Sequence, residues 1–234
     1  MTGMPDTDLS SIVPDGKDWT WVVERPCPEC AFDGSVVDAT AVASMIRSNA
    51  ATWAAVLERP IVELRHRGDR TTWTDLEYAA HVRDVYRLYL YRLGLMLDHD
   101  DPLFPNWDQD ETAAAERYNE QDPAVVAVDL VAAAEALAAA FDAVTEEQWR
   151  RPGRRSDGAS FTIDSFAVYL VHDPIHHLAD VGARPRTVSD TPRMLPSCGE
   201  SDTCDSDTVQ EVTRVMGAAG RSGVSTTRPS AQPR

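Results

Sequence analysis

The sequence predicts an all-α protein built on a four-helix bundle. Four long segments carry apolar residues at helical spacing, connections of moderate length separate them, and no convincing alternation of apolar and polar residues indicates a strand. Hydrophobic residues make up 43% of the 234 residues, so the chain can bury a core without disulfide bonds. Four amphipathic helices bury their apolar faces most simply by packing as a bundle.

The first two predicted helices have clear boundaries. The first spans residues 38–58, and Pro60 follows it. The second spans residues 75–97, with Thr74 as the expected N-cap. Glu77, three residues after that cap, completes a capping box, because its side chain can accept the N–H of the cap residue.

The third and fourth predicted helices lie in the second half of the chain. The third spans residues 123–144, with Asp122 as its N-cap and a proline at the first helical position. The fourth spans residues 163–181 and ends before Gly182, a residue type that commonly terminates helices. Pro174 lies inside the fourth helix and removes one backbone donor, so a kink is expected one turn earlier.

The ends of the chain differ from the helical part in composition. Residues 1–34 form a predicted N-terminal extension, and residues 35–185 form the bundle. Residues 186–234 are rich in Ser, Thr, Pro and Asp and contain few large apolar residues. This composition predicts a disordered tail with a short helix near residues 209–216.

The charge balance excludes several functions. The formal net charge of −16 disfavours binding to nucleic acid or to an anionic membrane surface. No run of 18 apolar residues predicts a spanning helix, and residues 1–17 lack an apolar signal core. We therefore predict a soluble cytoplasmic protein. Exposed aromatic side chains expected on the second helix suit a homodimer.

Three histidines predict a metal site. His172 and His176 are four residues apart, so on a helix they can present two imidazoles to one ion. His177 lies about 100° further round the helix and is a poorer ligand from the same face. His81, in the middle of the second predicted helix, supplies the third ligand. Three imidazoles leave one position open for water or substrate.

Neighbouring residues are expected to orient these rings. Asp84, one turn from His81, and Asp173 can each accept the second N–H of an imidazole, and His177 lies beside them in the predicted site. The alternative is that the histidines are surface residues, or hydrogen-bonded core residues that bind no metal.

These histidines and two longer segments resemble a known family. Residues 38–181 resemble the DinB-like superfamily, which includes bacillithiol transferases and mycothiol-dependent maleylpyruvate isomerases. The resemblance rests on His81, on the His172 and His176 pair, and on the segments 155–162 and 169–180. It implies a four-helix bundle with an up-up-down-down-like connection and a divalent ion, usually zinc or nickel, at the three histidines.

The resemblance also implies a function. A low-molecular-weight thiol would be the co-substrate, and the metal would activate its sulfur to attack an electrophilic small molecule. We therefore predict a metal-dependent thiol S-transferase. Only one of the 22 basic residues is a lysine, which favours an actinobacterial source, and in such a source the thiol would be mycothiol. The alternatives are a thiol-dependent isomerase of maleylpyruvate type and a non-catalytic metal-binding stress-response protein. Related isomerases often carry Glu where His172 stands.

Three arginines are candidate contacts for polar substrate groups. They are Arg83, Arg154 and Arg155, and the alternative for each is an ordinary solvated side chain.

A Cys-x-x-Cys motif, Cys27-Pro-Glu-Cys30, lies near the N-terminus. It is a redox pair, half of a structural zinc site, or an incidental pair. Cys198 and Cys204 would have to supply the other half of a four-cysteine site, although their separation is wider than usual. The aromatic residues that flank the motif predict that this segment packs on the bundle.

Overall fold

Four long helices form the bundle. The structure, a computed structural model, describes residues 11–14 and 16–183. Within these residues the helices are α1 (Val42–Val56), α2 (Ile61–Leu64), α3 (Asp75–Asp98), α4 (Gln109–Ala115), α5 (Pro123–Asp142) and α6 (Ile163–Asp180). Helices α1, α3, α5 and α6 correspond to the four predicted helices, so the predicted fold class is confirmed.

The four long helices have a diagonal connection. Helix α5 packs extensively against both α1 and α3, and α6 packs against the same two helices from the other side. Helices α1 and α3 therefore occupy opposite corners of the bundle, although they follow one another among the long helices. This arrangement brings α3 and α6 together, and these two helices carry the histidines.

Most of the predicted helix ends are confirmed. Thr74 and Glu77 form a reciprocal capping box at the start of α3, and Asp122 accepts the N–H of Ala124 at the start of α5. Gly182 follows α6 in the left-handed region, with φ of 64°. The first helix begins later than predicted, because Asp38 caps a short 3-10 turn that precedes α1.

The start of α3 is also fixed by a buried ion pair. Arg67 Nη2 lies 2.9 Å from Glu77 Oε1, and both side chains are only 2% exposed. The second carboxylate oxygen of Glu77 accepts the backbone N–H of Thr74 at 2.7 Å. The orientation of the helix that carries His81 therefore depends on one carboxylate.

The sequence shows no convincing strand pattern, but the described residues contain three short strands. Strands β1 (Leu103–Phe104), β2 (Pro152–Arg155) and β3 (Ser160–Thr162) form a small sheet in which β1 is parallel to β2 and β2 is antiparallel to β3. Strands of two to four residues are too short to show the alternation on which a sequence prediction depends. Gly153 in β2 packs closely on α3, since a Cβ there would lie 2.7 Å from Cγ of Met96.

The described part of the N-terminal segment lies on α6. A 3-10 turn, Thr20–Val23, contacts this helix, and Gly34 lies so close to it that an added Cβ would be 3.0 Å from Cγ1 of Val168. The expectation that this segment packs on the bundle is therefore confirmed. The predicted tail, with its short helix and with Cys198 and Cys204, lies outside the described residues.

Helix α5 is apolar on both sides. By length and mean hydropathy alone it could cross a membrane. In the structure one face packs against α1 and α3, whereas Val125, Val128 and Val131 on the other face are exposed.

Candidate metal centre

Helix α6 presents two pairs of metal-ligating side chains on different faces. Within the described residues, two groups have ligand atoms that all lie within 4.8 Å of one another. The first, here called the His–Asp group, consists of His81, Asp173 and His177. The second, here called the Cys–His group, consists of Cys27, Cys30, His172 and His176.

The spacing in the His–Asp group suits one divalent ion. Oδ1 of Asp173 lies 3.3 Å from Nε2 of His81 and 3.8 Å from Nε2 of His177. Ligand atoms bound at about 2.0–2.2 Å to a tetrahedral ion are separated by roughly 3.3–3.6 Å. Two imidazole nitrogens and a carboxylate oxygen are also typical zinc ligands.

A carboxylate on α6 fixes the orientation of the His177 ring. Nδ1 of His177 lies 2.7 Å from Oδ2 of Asp180, and the ionised carboxylate can only accept. Nδ1 of His177 therefore donates to Asp180, and Nε2 faces Asp173 Oδ1 at 3.8 Å. This carboxylate–histidine arrangement is typical of metal-ligating histidines.

Buried polar atoms in the His–Asp group lack hydrogen-bond partners. His81 is fully buried, and neither of its ring nitrogens makes a hydrogen bond to any residue of the described chain. Oδ1 of Asp173 is also without a hydrogen-bond partner among the described residues, although it lies 3.3 Å from Nε2 of His81. Leaving such atoms unsatisfied costs about 1–3 kcal/mol each. A divalent ion would satisfy a nitrogen of His81 and this oxygen, so the residues fit a metal.

The protonation states in this group suit a metal. Burial lowers the pKa of His81 and outweighs the attraction of Asp173. Burial alone would raise the pKa of Asp173, but His81 and His177 outweigh it and hold that pKa well below its usual value. At neutral pH His81 is therefore neutral and Asp173 is ionised, as metal coordination requires.

Aromatic side chains enclose the His81 ring. The Trp107 ring stacks on it with centroids 5.3 Å apart and planes inclined by 5°, and the Trp73 ring lies 5.0 Å away at a tilt. The Tyr78 ring lies 4.8 Å from that of His177. These contacts restrict the rotation of both imidazoles.

The His–Asp group borders a cavity of about 410 Å³. Asp173 and His177 line it, and Arg155 and Tyr169 lie in the same wall. Arg155 is held in place because it donates to Oδ2 of Asp157 at 2.7 Å and to the hydroxyl of Tyr169 at 3.1 Å. The cavity therefore combines a candidate ion site with a fixed cation that can bind an anionic group.

The other predicted contacts lie away from this cavity. Arg83 donates to Asp84 and to Gln121, and Asp84 also accepts the hydroxyl of Tyr118 at 2.6 Å. Asp84 is thus held by these partners, and it makes no hydrogen bond to His81. Arg154 forms an ion pair with an exposed aspartate, Asp101, at 2.8 Å.

The structure divides the three predicted ligands between the two groups. His81 lies with Asp173 and His177, which were predicted only to support the site, whereas His172 and His176 lie with the two cysteines. The physical reason is that one residue along a helix turns the side chain by about 100°. Positions 173 and 177 have the same spacing as 172 and 176, and the sequence analysis favoured the pair with two imidazoles.

The Cys-x-x-Cys motif lies beside α6. Both cysteines are free thiols. Burial and the neighbouring Cys27 raise the pKa of Cys30 to about 11, although a backbone N–H opposes this.

Comparisons with known proteins agree with the fold. A sequence model of the DinB superfamily matches residues 44–181. No curated protein sequence matches the chain. Among solved structures, the fold is similar to that of YfiT from Bacillus subtilis, with a TM-score of 0.55 and 17% identity over 60% of this chain and 82% of YfiT. YfiT is described as a probable metal-dependent hydrolase with an unusual four-helix bundle topology.

Proposed function

The chain belongs to the DinB superfamily, and on this premise we propose that it is a metal-dependent thiol S-transferase whose ion is held by His81, Asp173 and His177. Zinc is the expected ion and nickel the alternative. The observation that carries the proposal is the convergence of three ligand atoms, two of them unsatisfied by hydrogen bonds, in a group whose Asp173 and His177 line a cavity. Three protein ligands with access to a cavity are typical of catalytic sites rather than structural ones.

A divalent ion in the His–Asp group would lower the pKa of a thiol and so make it nucleophilic at neutral pH. The protein residues have separate roles. Asp180 holds His177 in the tautomer that exposes Nε2. Trp107 covers His81 and excludes water from one side of the group. Arg155 binds an anionic group of the thiol or of the acceptor, because its guanidinium is fixed in the cavity wall.

The proposed reaction is a group transfer to sulfur. The sulfur of a low-molecular-weight thiol, mycothiol in an actinobacterial source, forms a bond to an electrophilic carbon of a small molecule. The leaving group departs with the electron pair of the broken bond, and the thiol proton passes to water in the cavity.

One observation favours a second candidate, the thiol-dependent isomerase. A metal site made of three histidines would argue against the isomerase, because related isomerases often have a carboxylate at one ligand position. Asp173 supplies a carboxylate to the His–Asp group. Arg155 would then bind a carboxylate of the unsaturated acid while the thiol adds to the double bond and leaves again. Hydrolysis, named for YfiT, is a further reaction that such an ion can support.

The test first compares the metal content of His177→Ala with that of His66→Ala, which replaces an exposed histidine outside both groups. It then measures thiol consumption. The zinc-loaded full chain is mixed with mycothiol and monochlorobimane, and thiol loss is followed against the uncatalysed rate. We expect acceleration by the native chain and by His66→Ala, and none by His177→Ala.

Other outcomes separate the alternatives. Isomerisation of maleylpyruvate that requires mycothiol without consuming it would establish the second candidate. Metal-dependent ester hydrolysis without thiol consumption would establish a hydrolase. A chain that binds the ion at His177 but accelerates none of these reactions would support the non-catalytic alternative, and equal metal loss in the two histidine variants would overturn the site.

A further inference from the structure

We propose that the Cys–His group is a second metal site, in which Cys27, Cys30, His172 and His176 bind one zinc ion with four protein ligands. This site is distinct from the His–Asp group and has a structural role. It takes up the two cysteines and the two histidines that the proposed transferase site does not use.

The ligand atoms have suitable spacing for zinc. All four lie within 4.8 Å of one another, and Sγ of Cys27 is 3.7 Å from Nδ1 of His176. A tetrahedral zinc ion binds sulfur at about 2.3 Å and nitrogen at about 2.0–2.1 Å, so sulfur and nitrogen ligands are roughly 3.6 Å apart. The sequence spacings, two residues between the cysteines and three between the histidines, also match known structural zinc sites.

The backbone between the cysteines forms a closed turn. Ala31 N–H donates to the carbonyl of Cys27 at 2.9 Å, and Cys27 N–H donates to the carbonyl of Phe32 at 2.7 Å. Ala31 has a φ of 62°, in the left-handed region that a non-glycine residue seldom adopts. This turn holds both thiols towards α6.

The ring nitrogens of the two histidines are placed to bind an ion. Nε2 of His172 is buried and makes no hydrogen bond within the described residues. Nδ1 of His176 faces the sulfur of Cys27, while its Nε2 lies 3.6 Å from Oε2 of Glu29. A carboxylate beside the second ring nitrogen is typical of a zinc-binding histidine.

The group is largely shielded from solvent, although His172 and His176 also line the cavity that borders the His–Asp group. Cys27 is fully buried, His172 is 4% exposed, and the His176 side chain is 12% exposed. The Trp19 ring lies 5.0 Å from both imidazoles, and the Phe32 ring lies 5.6 Å from that of His172. Four protein ligands under aromatic cover leave no open position, which is typical of a structural site.

The charges allow both groups to hold ions at the same time. Two thiolates neutralise the divalent charge of a zinc ion bound by two neutral imidazoles. The Cys–His group with its ion is therefore neutral, although its histidines adjoin Asp173 and His177 in sequence. Repulsion between the two sites is reduced for this reason.

A zinc ion in this group would attach the N-terminal segment to α6. The attachment fixes Trp19, which lines the cavity of the His–Asp group. It also fixes the turn of α6 that carries Asp173 and His177. The structural ion would in this way position the ligands of the other site without contacting substrate.

The test counts ions and identifies sulfur ligands. The full chain is purified, loaded with zinc and examined by native mass spectrometry and zinc-edge X-ray absorption. We expect about two ions per chain and a zinc–sulfur shell at about 2.3 Å. Cys27→Ser with Cys30→Ser should lose one ion and all zinc–sulfur scattering. The matched control, Cys198→Ser with Cys204→Ser, should keep both.

The native spectrum decides the question even if the double variant fails to fold. An absence of zinc–sulfur scattering from the spectrum of the native chain would overturn the proposal. Cysteines that resist alkylation until a reductant opens a disulfide would also overturn it. Retention of sulfur scattering in the Cys27 and Cys30 variant would also overturn it. His177→Ala should lose the other ion and keep the sulfur shell, so failure of the transferase proposal is seen separately from failure of this one.

Discussion

The two ligands that α6 supplies to the His–Asp group each follow, by one residue, the two that it supplies to the Cys–His group. The His–Asp group includes a carboxylate, whereas the Cys–His group includes two thiols and is covered by aromatic rings at the edge of the cavity that both groups border. Each takes two ligands from α6 at a spacing of four residues. The rest of each group comes from a different part of the chain, α3 in one case and the N-terminal segment in the other.

The comparison shows how one helix can supply two metal sites of different kinds. A step of one residue turns a side chain by about 100°, so adjacent positions on α6 face different parts of the protein. Ligand type and number then separate the functions. Three protein ligands that leave one coordination position open suit catalysis, and four protein ligands that fill the coordination sphere suit stabilisation.

The largest expected effect is the loss of activity in Asp173→Ala. This change removes the ligand common to both short distances in the His–Asp group. Because a catalytic ion contributes several kcal/mol, we expect thiol transfer to fall at least about 10³-fold. The zinc–sulfur shell of the Cys–His group should remain. Undiminished activity would show that the ion lies elsewhere.

Glu77→Ala tests how strongly one carboxylate holds the start of α3. Removing the carboxylate leaves the buried Arg67 guanidinium without its counter-charge, and we expect a loss of about 3–5 kcal/mol in the free energy of unfolding in urea. Glu77→Gln keeps an acceptor for the Thr74 N–H and should lose less. A loss below about 1 kcal/mol would contradict this account of how α3 is held.

The carboxylates beside the histidines provide a smaller and more selective test. Asp180→Ala removes the acceptor 2.7 Å from His177 and should weaken zinc binding in the His–Asp group by about 10–100-fold. Glu29→Ala acts across 3.6 Å at His176 and should weaken binding in the Cys–His group by less than about tenfold. Competition titration with a chromophoric chelator measures both. Equal effects of the two changes would contradict the comparison.

The last expected effect concerns substrate binding. Arg155→Ala should raise KM for an anionic substrate by at least about tenfold and leave zinc content unchanged, since one charge-assisted hydrogen bond is worth about 1.5–3 kcal/mol. Arg154→Ala is the matched control, because Arg154 pairs with Asp101 outside the cavity lining. Steady-state kinetics of the two variants should differ; the same KM in both would remove Arg155 from the substrate site.

The sequence was sufficient to predict the bundle because local signals determine helices. The capping residues Thr74 and Asp122 and the helix stop at Gly182 are each visible within a few residues, and the structure has all three. The small sheet was missed because its pairing joins residues 103–104 to 154–155, which are far apart in the chain.

The grouping of the ligands could not be predicted from spacing alone. The face of α6 that meets His81 depends on the rotation of two helices about their axes, and helical periodicity does not fix that rotation. One local signal was available, since Asp180 follows His177 by three residues and can accept from its ring. The partnership of the cysteines with α6 depends on how the N-terminal segment packs, which local patterns do not determine.

The most direct test is an anomalous difference map from crystals of the zinc-loaded full chain, collected at the zinc absorption edge. We expect one peak among His81, Asp173 and His177 and a second peak among Cys27, Cys30, His172 and His176. A single peak coordinated by His81, His172 and His176 would contradict it.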